Sequence, residues 1–282
     1  KSSAASDVYK RQLSATVREV EEELGITVFM RNNRGITVTA EGEEFLGYAK
    51  QVVEQYHLLE NRYLNVESKK KFSVSMQHYS FAVKAFVQLA KEVGMDEYEF
   101  AVHETKTKEV IDNVKNLKSE IGVLYLSDFN EKVLRKLFKE CDIEFKELFT
   151  CNTYVYLWKK HPLAGQKEIT LDDLQEYPCL TFEQGVNNSF YYAEEMMSTY
   201  EYKRVIKADD RATMLNLMVG LNGFTLCSGI ISEDLNGDDY AAIPLKESEI
   251  MHIGYIKHKG TKLSKLGEIY IDALKNYENK VL

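Results

Sequence analysis

Cysteine and proline are scarce in this sequence. Its 282 residues include four cysteines and three prolines. The cysteines form no CxxC pair, and no histidine stands at ligand spacing from any of them. This distribution is unlike a zinc site or the disulfide framework of a small secreted domain. We therefore expect four isolated thiols, no metal and no cofactor.

Long apolar runs are absent as well. No run approaches the roughly 18 to 20 residues that a membrane-spanning helix needs. Residues 1–12 are polar and lack the apolar stretch of a secretory signal. We expect a cytoplasmic protein that has no membrane partner.

Catalytic signatures are also missing. The sequence contains no G-x-S-x-G nucleophile elbow, no G-x-G-x-x-G dinucleotide motif and no phosphate-binding P-loop. The six histidines are scattered along the chain. We predict that the protein is not an enzyme.

The sequence has no excess of positive charge. Its formal net charge is -8, whereas a nucleic-acid-binding domain usually carries a basic footprint. Any contact with DNA must therefore depend on a local patch. In residues 10–35 the basic residues flank a central acidic cluster. The chain length predicts two or three domains.

The N-terminal region contains one short amphipathic pattern. A single apolar helix stripe is formed by Leu13, Val17, Val20 and Leu24. Gly25 follows it, as is typical after a helix C-terminus. Small, hydroxyl and basic side chains lie early on the same helix, namely Ser14, Ala15, Thr16 and Arg18. Taken alone, the pattern fits an ordinary surface helix better than a helix that enters the major groove.

A basic turn follows this helix. Residues 31–35 read Arg-Asn-Asn-Arg-Gly, which is a turn composition with two cationic side chains. Residues 36–39 alternate like a short strand. The pattern predicts a wing in which Arg31 and Arg34 contact phosphates or reach the minor groove.

Residues 13–29, followed by Arg31, 34–35 and 38–42, resemble the winged helix-turn-helix signature of LysR-type regulators. The family pattern is L-S-x-x-I-x-x-L-E-x-x-L-G-x-x-L-F, then an Arg-rich wing, then L-T-x-A-G. The resemblance implies that a double-stranded DNA operator is contacted by Ser14, Ala15, Thr16, Arg18, Arg31 and Arg34. In the family, a first helix and a scaffold helix precede the recognition helix, whereas only residues 1–12 precede Leu13 here. We therefore interpret residues 1–39 as a partial DNA-binding domain and residues 1–12 as a non-native leader.

A longer apolar seam comes next. Spacings of 4 and 3 recur through Phe45, Ala49, Val52, Tyr56, Leu59, Tyr63 and Val66. Thr39 is a suitable N-cap for this helix. Such a seam packs either on its own domain or on a second helix. The resemblance favours the second alternative, so we predict that residues 40–70 are the linker helix of a homodimer, which in this family can extend to a tetramer.

Strand and helix patterns alternate from residue 72 onward. The alternation is typical of a mainly parallel sheet with helices on both faces. It begins with strands at 72–76, 98–103 and 121–126 and helices at 81–93 and 110–117. A similar rhythm runs over residues 153–227 and includes a predicted helix at 189–200.

These patterns predict a two-lobed α/β domain. We expect lobe I to comprise residues 71–147 and 262–282, and lobe II to comprise 148–261. Residues 161–164, 169–174 and 220–224 resemble the effector domain of LysR-type regulators, whose fold is similar to the type 2 periplasmic binding proteins.

Ligands of open α/β sheets bind beyond the C-terminal ends of the strands, where helix N-termini attract anions. This rule selects candidate effector-binding residues in both lobes: Gln77, His78, Tyr79, Ser80, Thr105, Tyr125, Gln184, Asn187, Ser189 and Phe224. Some of these residues also fit purely structural roles, because a serine or threonine here can cap a helix and Tyr125 can belong to the core. The resemblance implies an effector that is a small acid or an amino-acid-like metabolite.

The sequence therefore favours a LysR-type transcriptional regulator whose operator binding is modulated by a small molecule. Its expected fold is a partial winged helix-turn-helix, a long linker helix and a two-lobed α/β effector domain. The alternative is a two-lobed solute-binding protein without DNA-binding activity.

Overall fold

The computed structural model describes residues 2–32, 35–63, 69–94, 97–187, 189–230, 235 and 237–277. The chain divides into two compact units, Lys1–Glu67 and Ser68–Leu282. No described helix is both long enough and apolar enough to cross a bilayer.

The N-terminal unit is a helix, a hairpin and a second helix. Helix α1 spans Ser2–Leu24, and the antiparallel strands β1 (Phe29–Asn32) and β2 (Gly35–Val38) follow it. Helix α2 spans Ala40–Tyr63. Helix α1 begins well before Leu13, so the segment predicted to be a leader is part of the same helix. The apolar stripe marked only the C-terminal half of that helix.

Local contacts fix the start of α2. The hydroxyl of Thr39 accepts a hydrogen bond from the backbone N–H of Gly42 at 2.8 Å, which confirms the predicted N-cap. A Cβ atom on Gly42 would lie 2.3 Å from the carbonyl oxygen of Val28. This close approach requires glycine. On the other side of the hairpin, Glu21 accepts the N–H groups of Val28 and Phe29 at 2.6 and 2.9 Å.

The second unit contains a five-stranded sheet with the order β4-β3-β5-β12-β6. Its strands are β3 (Lys70–Met76), β4 (Tyr98–Glu104), β5 (Ile121–Leu126), β6 (Ile143–Cys151) and β12 (Met251–His258). Strand β3 is parallel to β4 and β5, whereas β12 is antiparallel to β5 and β6. The predicted boundary of lobe II at residue 261 is therefore wrong, because β12 returns to the first sheet before that point.

Helices cover both faces of this sheet. They are α3 (Ser80–Val93), α4 (Thr107–Lys115), α5 (Glu131–Glu140) and α7 (Lys265–Lys275). On one face, the hydroxyl of Tyr270 in α7 donates to the carbonyl of Ala82 in α3 at 3.1 Å within a fully buried cluster. On the other face, Val110 of α4 and Leu134 of α5 pack against Ile256 of the returning strand. We call this assembly the first lobe.

A smaller sheet system forms the second lobe. It contains β7 (Tyr154–Trp158), β8 (Cys179–Phe182), β9 (Val205–Ala208), β10 (Thr225–Cys227) and β11 (Tyr240–Pro244), with helix α6 (Arg211–Leu221). Strand β7 is antiparallel to β10 and β11, and β8 is parallel to β9. Backbone hydrogen bonds of Phe224 with Pro178 and Leu180 join the three-stranded sheet β10-β7-β11 to the β8–β9 pair.

The predicted helix at residues 189–200 is wrong. Only Phe190–Tyr192 forms a short 3-10 turn, and Met197 has a positive φ of 54°. The side chains of Glu194 and Glu195 point inward from this segment and are buried. Their tertiary hydrogen bonds, described below, override the local preference for a helix.

Two crossing segments connect the lobes, one between β6 and β7 and the other between β11 and β12. Thr153 ties them together. Its N–H donates to the hydroxyl of Ser248 at 2.8 Å, and its own hydroxyl donates to the carbonyl of Glu249 at 2.9 Å. The paired crossings form a compact hinge, with Thr153 fully buried inside it.

Candidate functional site

The loop from β3 to α3 presents a buried amide to the other strands of the first lobe. Gln77 donates from its amide nitrogen to the hydroxyl of Thr107 at 2.6 Å. Its amide oxygen accepts the backbone N–H of Tyr125 and the hydroxyl of Tyr79, both at 3.1 Å. The C-terminal ends of β3, β4 and β5 are thereby joined by one side chain.

Thr107 continues this network into the second lobe. Its backbone N–H donates to the amide oxygen of Gln184 at 3.2 Å, and its hydroxyl donates to the carbonyl of Tyr192 at 2.7 Å. The hydroxyl of Tyr125 donates to the carbonyl of Ala193 at 3.0 Å. The segment after β8 is therefore hydrogen-bonded directly to the first lobe.

The side chain of Glu194 lies at the centre of this contact. Its carboxyl group accepts the backbone N–H of His78 at 2.9 Å and the amide of Gln184 at 2.9 Å, and it lies 2.8 Å from the Nδ1 of His78. The His78 ring stacks on Phe182 with 3.6 Å between ring centroids and an interplanar angle of 6°. An acidic side chain of the second lobe thus occupies the entrance to α3.

A second buried acid stands beside it. Glu195 accepts the backbone N–H of Phe182 at 2.8 Å. Burial, together with the nearby charge of Glu194, raises the pKa of Glu195 from 4.5 to about 8. Glu195 therefore keeps its proton at neutral pH. Burial likewise raises the pKa of Tyr125, which contacts the backbone of the same segment.

Two ion pairs bridge the lobes nearby. Arg211, the first residue of α6, donates from Nη2 and Nε to one oxygen of Glu104 at 2.6 and 3.0 Å. The ammonium of Lys106 lies 3.3 Å from a carboxyl oxygen of Asp209. Both pairs join the end of β4 to the start of α6.

An open pocket adjoins this network, between the start of α3 and helix α6. Its space is about 580 Å³, including the part open to solvent. The first lobe contributes the start of α3 from His78 onward. The second lobe contributes mainly apolar side chains, among them Phe182, Met214, Met218 and Ile230. The mainly apolar lining with a few polar groups is typical of a site for a small organic molecule.

The described residues contain no group of three or more His, Cys, Asp or Glu side chains arranged to hold a metal ion. The polar groups at the cleft are amides, hydroxyls, backbone N–H groups and paired acids. This set can orient and recognise a small molecule.

Comparison with known proteins identifies the family. The sequence profile of the LysR substrate binding domain matches residues 95–278, which is more than half of the chain.

The chain belongs to the LysR family of transcriptional regulators.

Curated relatives agree with this assignment. The transcriptional dual regulator GltC of Bacillus subtilis is 29% identical over a region that covers 61% of this chain and 56% of GltC. The HTH-type transcriptional regulator CysL, also of Bacillus subtilis, is 24% identical over 96% of this chain and 89% of CysL. The chain thus spans little more than half of the first relative and most of the second.

Solved structures share the fold. A full-length OxyR variant from Pseudomonas aeruginosa has a TM-score of 0.69 and 16% identity, covering 94% of this chain and 85% of that one. A Corynebacterium glutamicum OxyR mutant has a TM-score of 0.52 and 17% identity, covering 99% of this chain and 88% of that one. These similarities support the two-lobed α/β architecture that the sequence predicted for this LysR-type chain.

Within this LysR-type effector domain, the predicted residues fall into three groups. His78, Tyr79 and Ser80 line the pocket. Gln77 and Gln184 do not line it but join the lobes through the polar network.

The remaining predicted residues have other positions. The Thr105 hydroxyl donates to Glu109 within the start of α4. Asn187 and Ser189 lie on the loop after β8 and do not line the pocket. Phe224 is fully buried, because it packs against Tyr202 and the β8–β10 junction covers it. It therefore belongs to the core and does not form a wall of the cleft. Tyr125 is also buried, although its hydroxyl reaches the other lobe.

Sequence reasoning missed four side chains of this region, namely Glu194, Glu195, Arg211 and Thr225. Only the first two left a signal that could have been read. Adjacent acids inside an otherwise apolar stretch, Ala193-Glu-Glu-Met-Met197, are out of place on a buried surface unless they are hydrogen-bonded.

In the N-terminal unit the candidate DNA-contacting residues of α1 are accessible. Ala15, Thr16 and Arg18 are exposed, and Ser14 is half-buried. The Thr16 hydroxyl donates to the carbonyl of Gln12 at 3.1 Å, as threonine hydroxyls commonly do within helices. The side chain of Arg31 and the whole of Arg34 lie outside the described residues.

Proposed function

We propose that this LysR-type chain binds a double-stranded DNA operator through α1 and the β1–β2 hairpin, and that a small molecule bound in the cleft of the second unit modulates that binding. The observation that carries the proposal is the pocket bounded by both lobes, beside a hinge and a polar network that join them. A ligand that contacts both lobes changes the free-energy difference between their arrangements.

The DNA-contacting surface is supported by exposure and chemistry. Ala15 and Thr16 are small, and Arg18 is a cation on the same exposed part of α1. Small side chains permit close approach to base edges, and arginine can bind guanine or phosphate. An antiparallel hairpin follows α1, and we propose that it serves as a wing whose Arg31 and Arg34 side chains contact phosphates or the minor groove.

Pairing of two chains is supported by the surface of α2. Val52, Tyr56 and Leu59 are 69%, 57% and 57% exposed, respectively. They belong to the predicted heptad seam, so a parallel or antiparallel partner helix would cover them. We propose a homodimer through this seam and, from the family, a tetramer on the operator. A protein that acts on DNA in this way works in the cytoplasm.

The start of α3 and the start of α6 both face the cleft, with Arg211 at the second. Helix N-termini and a guanidinium favour a ligand that carries negative charge. We propose a small acid as the effector.

The DNA-binding part is tested by fluorescence anisotropy with a labelled duplex from the region upstream of the protein's own gene. Wild type is compared with Arg18→Ala and with Lys136→Ala, which removes an exposed charge from α5. Arg18→Ala should weaken binding and reduce the salt dependence by about one charge. Equal binding by both variants would contradict the assignment of α1. Absence of binding by all three proteins, on this duplex and on nonspecific DNA, would favour the solute-binding alternative.

A further inference from the structure

The cleft contains a carboxyl group of the protein itself in the place where an anionic ligand would be expected. The donors at the entrance to α3 are the backbone N–H and the ring of His78, and Gln184 supplies an amide opposite them. All of these contact Glu194. Glu194 is only 6% exposed, so bulk water does not compete for these donors.

The neighbouring acid makes this polar end unfavourable for a second carboxylate. Glu195 is buried next to Glu194, and its raised pKa reflects burial and that neighbour. A ligand carboxylate placed among these side chains would face two acids and find the available donors already bonded.

The open pocket beside this network still offers polar groups. Thr225 lines the pocket, is 7% exposed, and has a buried hydroxyl without a hydrogen-bond partner. No hydrogen bond within the described residues uses the backbone N–H of Ser80 or Phe81, which begin the 14-residue helix α3. Arg211 donates two hydrogen bonds to Glu104 and also lines the pocket.

The rest of the pocket is mainly apolar. Phe182, Met214, Met218 and Ile230 are among the side chains of its wall. Such a wall favours an aromatic or branched aliphatic body, and methionines adapt to either shape. An amino-acid-like ligand would have to bury its ammonium group against this wall without a partner.

We infer that Glu194 is a built-in ligand for the polar end of the cleft, and that the effector is an apolar monocarboxylate bound beside it in the pocket between α3 and α6. The inference rests on the proposed effector-binding function and names the ligand class of that site. The effector carboxylate binds the start of α3 and Arg211, the Thr225 hydroxyl donates to a ligand oxygen, and the apolar body lies against α6.

The ligand class is tested by calorimetric titration of the full chain with phenylacetate and 4-methylpentanoate. The comparison probes are 2-phenylethanol, which lacks the charge, and glutamate and 2-oxoglutarate, which carry additional polar groups. We expect the two monocarboxylates to bind, the alcohol to bind at least about tenfold more weakly, and the last two not to compete.

Two valine variants examine the pocket. Thr225→Val keeps the shape and removes the unpartnered hydroxyl, so it should weaken phenylacetate binding about five- to tenfold without lowering the melting temperature of the free protein. Thr150→Val, at an exposed position of β6, is the matched control and should bind like wild type.

The built-in carboxyl group is tested by chemical rescue. Glu194→Ala should lower the melting temperature, and acetate should raise it again by more than it raises that of wild type at equal ionic strength. Glu201→Ala removes an exposed glutamate from the same segment and should show no such response. If Glu194→Ala does not fold, Glu194→Ser serves instead, because its short side chain also leaves room for acetate among the same donors.

The outcomes separate the inference from the function on which it rests. Binding of glutamate or 2-oxoglutarate to wild type, weakened by Thr225→Val, would overturn the ligand class and leave the cleft as the effector site. An equal acetate effect on wild type and on the Glu194 variants would overturn the role of Glu194. If no probe of any class binds and DNA binding responds to none of them, both the inference and the proposed effector function fail.

Discussion

Replacement of Glu195 by glutamine should remove a pH-dependent weakness of the effector domain. Glutamine can still accept the backbone N–H of Phe182, which Glu195 now binds at 2.8 Å. What it cannot do is ionise. Because burial and the adjacent Glu194 raise the pKa of Glu195 from 4.5 to about 8, the folded protein holds this proton over a pH range in which the unfolded chain releases it.

The sign of the effect follows directly. Below pH 4.5 both states carry the proton, so stability does not depend on this group. Between 4.5 and about 8 the unfolded state loses the proton first, and the free energy of unfolding therefore falls as pH rises. The slope is about 1.4 kcal/mol per pH unit, so from pH 5 to pH 7 the loss is roughly 3 kcal/mol. For a domain of this size that corresponds to roughly 5 to 10 °C in the melting temperature.

The assay is thermal unfolding of wild type, Glu195→Gln and Glu201→Gln from pH 5 to pH 8. Glu201 is exposed in the same segment and controls for the loss of one carboxyl group. The stability of Glu195→Gln relative to wild type should increase steadily with pH, while that of Glu201→Gln should stay constant. A constant difference for Glu195→Gln across the range would show that Glu195 is not held protonated, and would refute the reasoning about the buried acid pair.

The remaining predictions concern the N-terminal unit. Gly42→Ala should destabilise it by about 2 to 4 kcal/mol, because a Cβ would lie 2.3 Å from the carbonyl oxygen of Val28. The loss of stability is measured as faster amide hydrogen exchange in α2. Gly165→Ala is the control, because a Cβ there would meet nothing within 4 Å. Val52→Glu should place charge in the exposed seam of α2 and convert a dimer to a monomer in sedimentation experiments, whereas Lys50→Glu should not. A Val52→Glu protein that remains dimeric would exclude the seam as the main interface.

The sequence predicted best those features that depend on neighbouring residues. The Thr39 N-cap depends on residues three positions apart, and it is present. The start of α1 was missed because residues 2–12 carry no apolar stripe, so helix formation there had no periodic signal.

Features that depend on distant contacts were predicted less well. Residues 189–200 have a composition that suits a helix, yet Glu194 and Glu195 bond to His78, Gln184 and Phe182 and hold the segment in turns. Strand β12 pairs with β5 and β6, which precede it by about a hundred residues, and no local pattern specifies that return. The predicted lobe boundary was wrong for this reason.

Part of the predicted site lines the pocket, but the hydrogen bonds within this region were not predicted. The rule that ligands bind beyond the C-terminal ends of strands selected His78, Tyr79 and Ser80, and these residues line the pocket. The rule could not reveal that Glu194 already bonds to His78, because the two are 116 positions apart in the chain. Thr225 was missed since a single hydroxyl in a short strand has no recognisable pattern.

The central claim is that occupancy of the cleft changes the affinity of the chain for DNA. The direct measurement is the anisotropy of a labelled upstream duplex, titrated with wild type and with Thr225→Val in the presence and absence of phenylacetate. The account predicts that phenylacetate shifts the DNA dissociation constant of wild type at concentrations that leave Thr225→Val unchanged. An identical dissociation constant with and without phenylacetate, at concentrations where calorimetry shows the pocket of wild type to be filled, would contradict it.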